Sequence, residues 1–105
     1  MVQKNMFYIG LNDKDTKTQI INTVDAMHVI ENVFVAHNVD GATISSGRGV
    51  YKHENGDIVT ENTIIVQVYD FGGDCPVAAI CADLKNVLNQ ESIAVERVQT
   101  DSQLY

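Results

Sequence analysis

The stretch from Asp40 to Asp70, DGATISSGRGVYKHENGDIVTENTIIVQVYD, constrains the fold of this chain more than any other. Two β-rich runs flank Asn55-Gly56. An Asn-Gly pair in that setting signals a hairpin, because glycine takes φ > 0 without steric cost. The side chains choose the register. A two-residue loop would set Ile44 against Gln67 and Val50 against Glu61, mixing the faces. A three-residue loop, Glu54-Asn55-Gly56, with Gly56 left-handed at a bulge, sets Ala42 against Val68, Ile44 against Val66 and Ser46 against Ile64. One face then becomes mostly apolar, as a sheet covered on one side requires. The second register is the expected one. The other face carries Thr43, Ser45, Gly47, Gly49 and Tyr51 opposite Gln67, Ile65 and Thr63.

The flanks complete the order. Asn5 to Leu11 alternates Phe7, Ile9 and Leu11 with Tyr8 and Gly10, the pattern of a strand with one buried face. A helix is expected from about Thr16, capped by Asp15 or Thr16, with Ile20, Val24 and Met27 on one stripe. The run Val29 to Ala36 suits a strand by composition, but the stop signal at Asn38 to Gly41 favours helix to about His37. A helix that long would overhang a short sheet, so a kink or an oligomer contact is expected. Asp74 is the expected cap of a second helix, Cys75 to Asn89, with Val77, Ile80, Leu84, Val87 and Leu88 on its apolar stripe. Ser92 to Val98 reads as a last strand with Ile93 and Val95 facing in, and 99–105 as a polar tail. The order β-α-β-β-α-β defines an α+β, ferredoxin-like domain spanning residues 1–105. Its antiparallel sheet has both helices on one face and right-handed crossovers. The other face carries Tyr8, Tyr51, Ile65 and Tyr69.

Composition removes several functions. The formal charge of −7 argues against nucleic acid, which needs a basic face, and against an anionic membrane surface. No apolar run approaches the roughly 20 residues of a membrane span, and the N-terminus lacks a secretory apolar region. Cytoplasmic residence is the expectation. Cys75 and Cys81 do not form a Cys-x-x-Cys motif, and reduced thiols are expected.

Ser45-Ser46-Gly47-Arg48-Gly49-Val50-Tyr51-Lys52 is the most unusual stretch. Glycine inside a strand marks a bulge or a close approach by a ligand or another backbone. Arg48 and Lys52 are two of only seven basic residues. Ser45, Gly47, Arg48, Gly49, Tyr51 and Lys52 are therefore the expected ligand-binding set, suited to a small carboxylate or phosphate. His28, His37 and His53 lack the i, i+3 or i, i+4 spacing of helical metal ligands, so no metal or cofactor is expected. Cys75 lies at a helix start, where a thiolate gains stabilisation, but a buried inert thiol is the plainer expectation. Glu91 and Glu96 have no assignable partner, and no catalytic set emerges.

Two resemblances follow. Gly41-Ala42-Thr43-Ile44, then Gly47-Arg48-Gly49, resembles the Gly-x-Thr-Val run of the PII signal-transduction proteins, although the hairpin here closes at Asn55-Gly56 without a long loop. That resemblance implies a trimeric, nucleotide-binding regulatory fold. A second resemblance covers roughly residues 7–98 and is to a bacterial ferredoxin-like family of unknown function. It rests on Tyr8, Gly10 and Leu11; on Asp40, Gly41 and Thr43; on Gly56, Ile58, Val59 and Glu61; and on Gln90, Glu91 and Ser92. The reading is a homo-oligomeric, dimeric or trimeric, ligand-binding or regulatory module, with Tyr51 and Tyr69 in the interface. The alternative is a small dimeric enzyme of isomerase or monooxygenase type, using one of Tyr8, His28 or Arg48.

Overall fold

Residues 1–105 are described by a computed structural model. The elements run β1 Val2–Gly10, α1 Thr23–Ala36, β2 Thr43–Lys52, β3 Ile58–Asp70, α2 Val77–Val87 and β4 Ala94–Thr100. The four strands form one antiparallel sheet in the order β2-β3-β1-β4. This is the ferredoxin-like α+β arrangement.

The hairpin adopts the three-residue register. Ile44 pairs with Val66, Ser46 with Ile64 and Gly49 with Glu61. Gly56 has φ +92°, which an L side chain rarely tolerates, and the His53 amide donates to the Asp57 carbonyl to close the loop. Register fixes the faces, since side chains alternate along a strand. Phe7, Ile9, Ile64, Val66 and Val68 point to one side, where Ala26, Ile30 and Phe34 of α1 and Ile80 and Leu84 of α2 cover them. Tyr8, Gly10, Gly49, Tyr51, Glu61, Ile65 and Tyr69 alternate to the other side, which no helix covers.

The first helix starts later than the sequence suggests. Asp13 Oδ1 accepts the amides of Asp15 and Thr16, Lys17 takes φ +63°, and the Thr16 and Thr18 hydroxyls bond each other. These local bonds compete with helix and hold 12–21 as a loop. The cap is Asn22, not Asp15 or Thr16: its Oδ1 accepts the Asp25 amide while its Nδ2 donates to Asp25 Oδ2. The helix is 14 residues long, Thr23–Ala36. Asn22→Ala is expected to cost about 1 kcal/mol, read as a lower urea midpoint at unchanged m-value.

Both helices end at an asparagine with φ > 0, Asn38 and Asn89. In each the following amide reaches back, Val39 to the Phe34 carbonyl and Gln90 to that of Lys85, the Schellman pattern. The second helix begins at Val77 with Pro76 at its cap position, so Asp74 is not its cap. Asp70 instead gathers the loop, accepting the amides of Gly73, Asp74 and Cys75. The last strand is shifted by two residues relative to Ser92–Val98, with Ile93 and Val95 still packed against the core. No helix is long and apolar enough to cross a membrane.

Candidate functional site

At the hairpin end of the uncovered face the sheet surface dips. Gly10 on β1 and Gly49 on β2 carry no side chain there, and Glu61 of β3 lies between them. Tyr8 and Tyr51 stand at the edges. Two loops raise the far wall: Asn12 to Lys17 before α1, and Gln90 to Ser92 after α2. The resulting pocket has a volume of about 590 Å³.

The loops are held by their own polar groups. Asn89 Nδ2 donates to Asp13 Oδ2 at 2.8 Å and to Asp15 Oδ2 at 2.9 Å. The Lys14 amide donates to the Asn89 carbonyl, and Gln90 Nε2 to the Asn12 carbonyl at 2.7 Å. Asp13 is consequently a more acidic carboxyl than usual. The Thr16 amide is the largest cause, followed by Asn89 and the Asp15 amide. Its folded pKa lies below the ordinary 3.8, so its stabilisation is complete above about pH 4 and is lost as pH falls through the lowered value. Asp13→Asn is therefore expected to shrink the stability lost between about pH 5 and pH 2.5, measured as the difference in urea midpoints.

Glu61 is the functional group of the floor. Its Oε2 accepts the Asn12 backbone amide at 3.0 Å, which fixes the carboxylate against β1. The neighbouring Tyr51 hydroxyl is pushed above its ordinary 10.0 by burial first, then by the charge of Glu61 and by its tendency to donate to that carboxylate. Tyr51 also meets His53 edge to face, with centroids 5.7 Å apart. A carboxylate beside two aromatic rings is an arrangement that receives a cation. The pocket's other charges, Asp13, Lys14, Lys17 and Glu91, belong to the loop wall.

The expected ligand-binding set does not converge. Gly49 and Tyr51 line the pocket, and Ser45 and Gly47 share their face nearer the sheet centre. Arg48 and Lys52 alternate to the helix side, where Arg48 Nη2 donates to Thr60 Oγ1 at 3.0 Å. The two cations on which an anionic ligand depended are therefore not part of this pocket. Tyr8, named for the enzyme alternative, lines the pocket, while Glu61, Gly10 and His53 enter it without having been singled out as ligand contacts. His28 lies beside Glu31 on the exposed face of α1, and His37 joins Asp83 of α2. Cys75 and Cys81 are free and half-buried, and burial first of all pushes both thiols above their ordinary 9.0.

A second cavity, about 490 Å³, lies at the opposite end of the sheet among the α1–β2 loop, the β3–α2 loop and Leu104. Of its carboxylates, Asp70 already accepts three backbone amides, while Asp40, Asp74, His37 and Cys75 also line it.

No protein-family model matches the chain, so the family motifs around Tyr8 and Gly10 have no such support. No curated protein matches it either. Solved structures do. A phage SAM lyase in complex with S-methyl-5'-thioadenosine is similar at TM-score 0.67 and 26% identity, over 93% of this chain and 81% of that one. The phage SAM lyase in its apo state gives TM-score 0.69 at 24% identity, over 91% and 78% of the two chains. A GlnK–ATP complex from B. subtilis gives TM-score 0.50 at 11% identity, over 92% and 84%. The chain thus has a PII-like ferredoxin-like fold.

Proposed function

We propose that this protein is a small lyase that binds S-adenosylmethionine and releases S-methyl-5'-thioadenosine. The observation that carries the reading is the fixed Glu61 carboxylate between Tyr8 and Tyr51, at the floor of a pocket large enough for a nucleoside. The 26% identity with a SAM lyase across nearly the whole chain supports the same ligand class.

The chemistry suits such a site. Releasing the neutral thioether breaks the bond between the sulfonium sulfur and Cγ of the methionine part, and the bond's electron pair goes to sulfur. A lyase adds no water, so Cγ is filled from within the fragment. The substrate's own carboxylate oxygen closes on Cγ to give a five-membered lactone, with no proton moved. Opposite charges disappear as the reaction proceeds, so a partly desolvated site favours it over water. Glu61 holds the substrate's ammonium, and the rings of Tyr8 and Tyr51 face its sulfonium.

The pocket opens on the uncovered face, where a second copy would complete its wall. The ligand-binding oligomer expected from the hairpin belongs to this reading, with Tyr51 and Tyr69 at the contact. Tyr69 is 40% exposed and its ring stacks on Phe71 at 6.2 Å. Tyr69→Asp is expected to shift sedimentation toward monomer, since a carboxylate buried without a partner costs several kcal/mol, roughly. A folded mutant sedimenting like the parent would remove Tyr69 from the interface.

The deciding experiment incubates purified protein with S-adenosylmethionine and follows S-methyl-5'-thioadenosine by chromatography. Turnover supports the lyase. Binding of both compounds in a thermal shift without turnover would replace it by a regulatory, ligand-sensing module. Neither turnover nor binding would remove both.

A further inference from the structure

The Glu61 carboxylate rests in a notch that only glycine leaves open. A Cβ built on Gly10 would stand 2.6 Å from the carboxyl carbon of Glu61 and 2.7 Å from its Oε2. Atoms do not share that space, so any side chain at this position displaces the carboxylate. Gly49, on the other side, makes no such demand: a Cβ there would be 3.7 Å from Glu61 Cγ, an ordinary contact, and 3.0 Å from Thr63 Oγ1. Glu61 therefore leans across the ladder toward β1 and lies over Gly10.

Backbone freedom does not explain this glycine. Gly10 is the last residue of β1, pairs with Thr63, and is not among the residues with positive φ. An alanine fits its conformation. What alanine removes is space, and the atoms in the way are the end of one flexible side chain. The immediate consequence falls on Glu61 rather than on the sheet.

We infer that Gly10 is a positioning residue for Glu61: it provides the notch in which the carboxylate reaches the Asn12 amide and is held at the pocket floor. The inference rests on the lyase reading only for its consequence in catalysis. The notch explains two features together. The carboxylate gains a backbone donor at 3.0 Å, and its oxygens stay on the β1 side, since a Cβ on Gly49 would meet, of Glu61, only Cγ and the carbonyl at 3.7 Å. A glutamate standing upright would instead carry its charge toward Gly49 and Tyr51. The alternation Tyr8-x-Gly10 thereby acquires a physical meaning, since both residues point into the pocket from one strand.

The test separates position from catalysis. In Gly10→Ala, without ligand, the Asn12 amide is expected to exchange with solvent as fast as in Glu61→Ala, where its acceptor is gone. In the same variant the Tyr51 phenol is expected to titrate further above its ordinary 10.0, as the displaced carboxylate turns toward it. With S-adenosylmethionine, turnover is expected to fall at least tenfold, while neutral S-methyl-5'-thioadenosine binds within threefold of the parent. The double variant Gly10→Ala/Glu61→Ala is expected to be no worse than Glu61→Ala alone, because the glycine acts through that carboxylate.

Parent-like protection of Asn12 in Gly10→Ala would overturn the inference, as would additive losses in the double variant. A parent enzyme inactive on S-adenosylmethionine removes the lyase reading, and the Asn12 amide still decides the role of Gly10. Should Gly10→Ala fail to fold, the double variant Gly10→Ala/Glu61→Ala decides: a fold recovered when the Glu61 side chain is removed supports the inference, and failure of both variants to fold overturns it.

Discussion

Glu61→Gln is expected to lower kcat/KM for S-adenosylmethionine by roughly 10- to 150-fold. That factor corresponds to about 1.5–3 kcal/mol, the range of a hydrogen bond to a charged partner. The substitution keeps shape and volume and removes only the charge. Its effect should therefore divide ligands by charge. Neutral S-methyl-5'-thioadenosine should bind nearly as before, because it presents no ammonium or sulfonium to the missing carboxylate. The fold should be indifferent, since Glu61 lies on the uncovered face and takes no part in the apolar core. Equal losses for the cationic and the neutral compound would show that Glu61 shapes the pocket rather than binding charge. Screening gives a second handle. A partly exposed ion pair weakens with salt, so the parent's KM should rise between about 0.01 M and 1 M salt while the variant's changes less.

Glu61 shows what the sequence leaves hidden. In the hairpin register read from the side chains, one face runs Thr43, Ser45, Gly47, Gly49 and Tyr51 against Gln67, Ile65 and Thr63. One more step along β3 reaches Glu61 opposite Gly49. That neighbour was within reach of the same alternation. The contribution of β1 was not. Gly10 meets Glu61 only because β1 lies next to β3, and a lone strand's sequence does not state which neighbour it takes. The Asn12 amide is further removed still, since it becomes available only where the strand gives way to a loop. The attention drawn by Arg48 had the opposite cause. A rare cation between two glycines stands out in a sequence, yet strand alternation carries it to the side away from the pocket.

The fold was more legible than the site, for a physical reason. Alternating Phe7 and Ile9, and the stripe of Ile80 and Leu84, record burial, and burial is the quantity that periodicity reports. Helix ends record something else. Asp15 and Thr16 resemble a capping sequence, but side-chain bonds within 13–18 satisfy the same backbone amides without a helix. Asn22 won because its amide and Asp25 bond each other in both directions, a pairing that needs the first helical turn to exist. Asp74 lost because Asp70 reached its loop first.

The same strand links the core to the site, and Phe7 is where the link can be cut. Phe7 is fully buried and meets Phe34 of α1 edge to face, with centroids 5.0 Å apart. Its ring joins the central strand β1 to a helix, and the next residue, Tyr8, stands on the pocket side. Phe7→Ala removes the aromatic contact and leaves a cavity that close packing fills only in part, a loss of about 3–5 kcal/mol. Against a total stability of about 5–15 kcal/mol, that loss lowers the melting midpoint by more than about 10 °C. The exposed Val35→Ala, 73% accessible in the parent, should shift it by less than about 2 °C. The destabilisation should also reach the pocket. A loosened β1 no longer holds Gly10 under the Glu61 carboxylate, so turnover at a temperature where Phe7→Ala is still folded should fall along with Asn12 amide protection. Midpoints from calorimetry and amide exchange on the folded variant check both halves. A low melting point with unchanged Asn12 protection would mean that β3 and the loops alone hold the site.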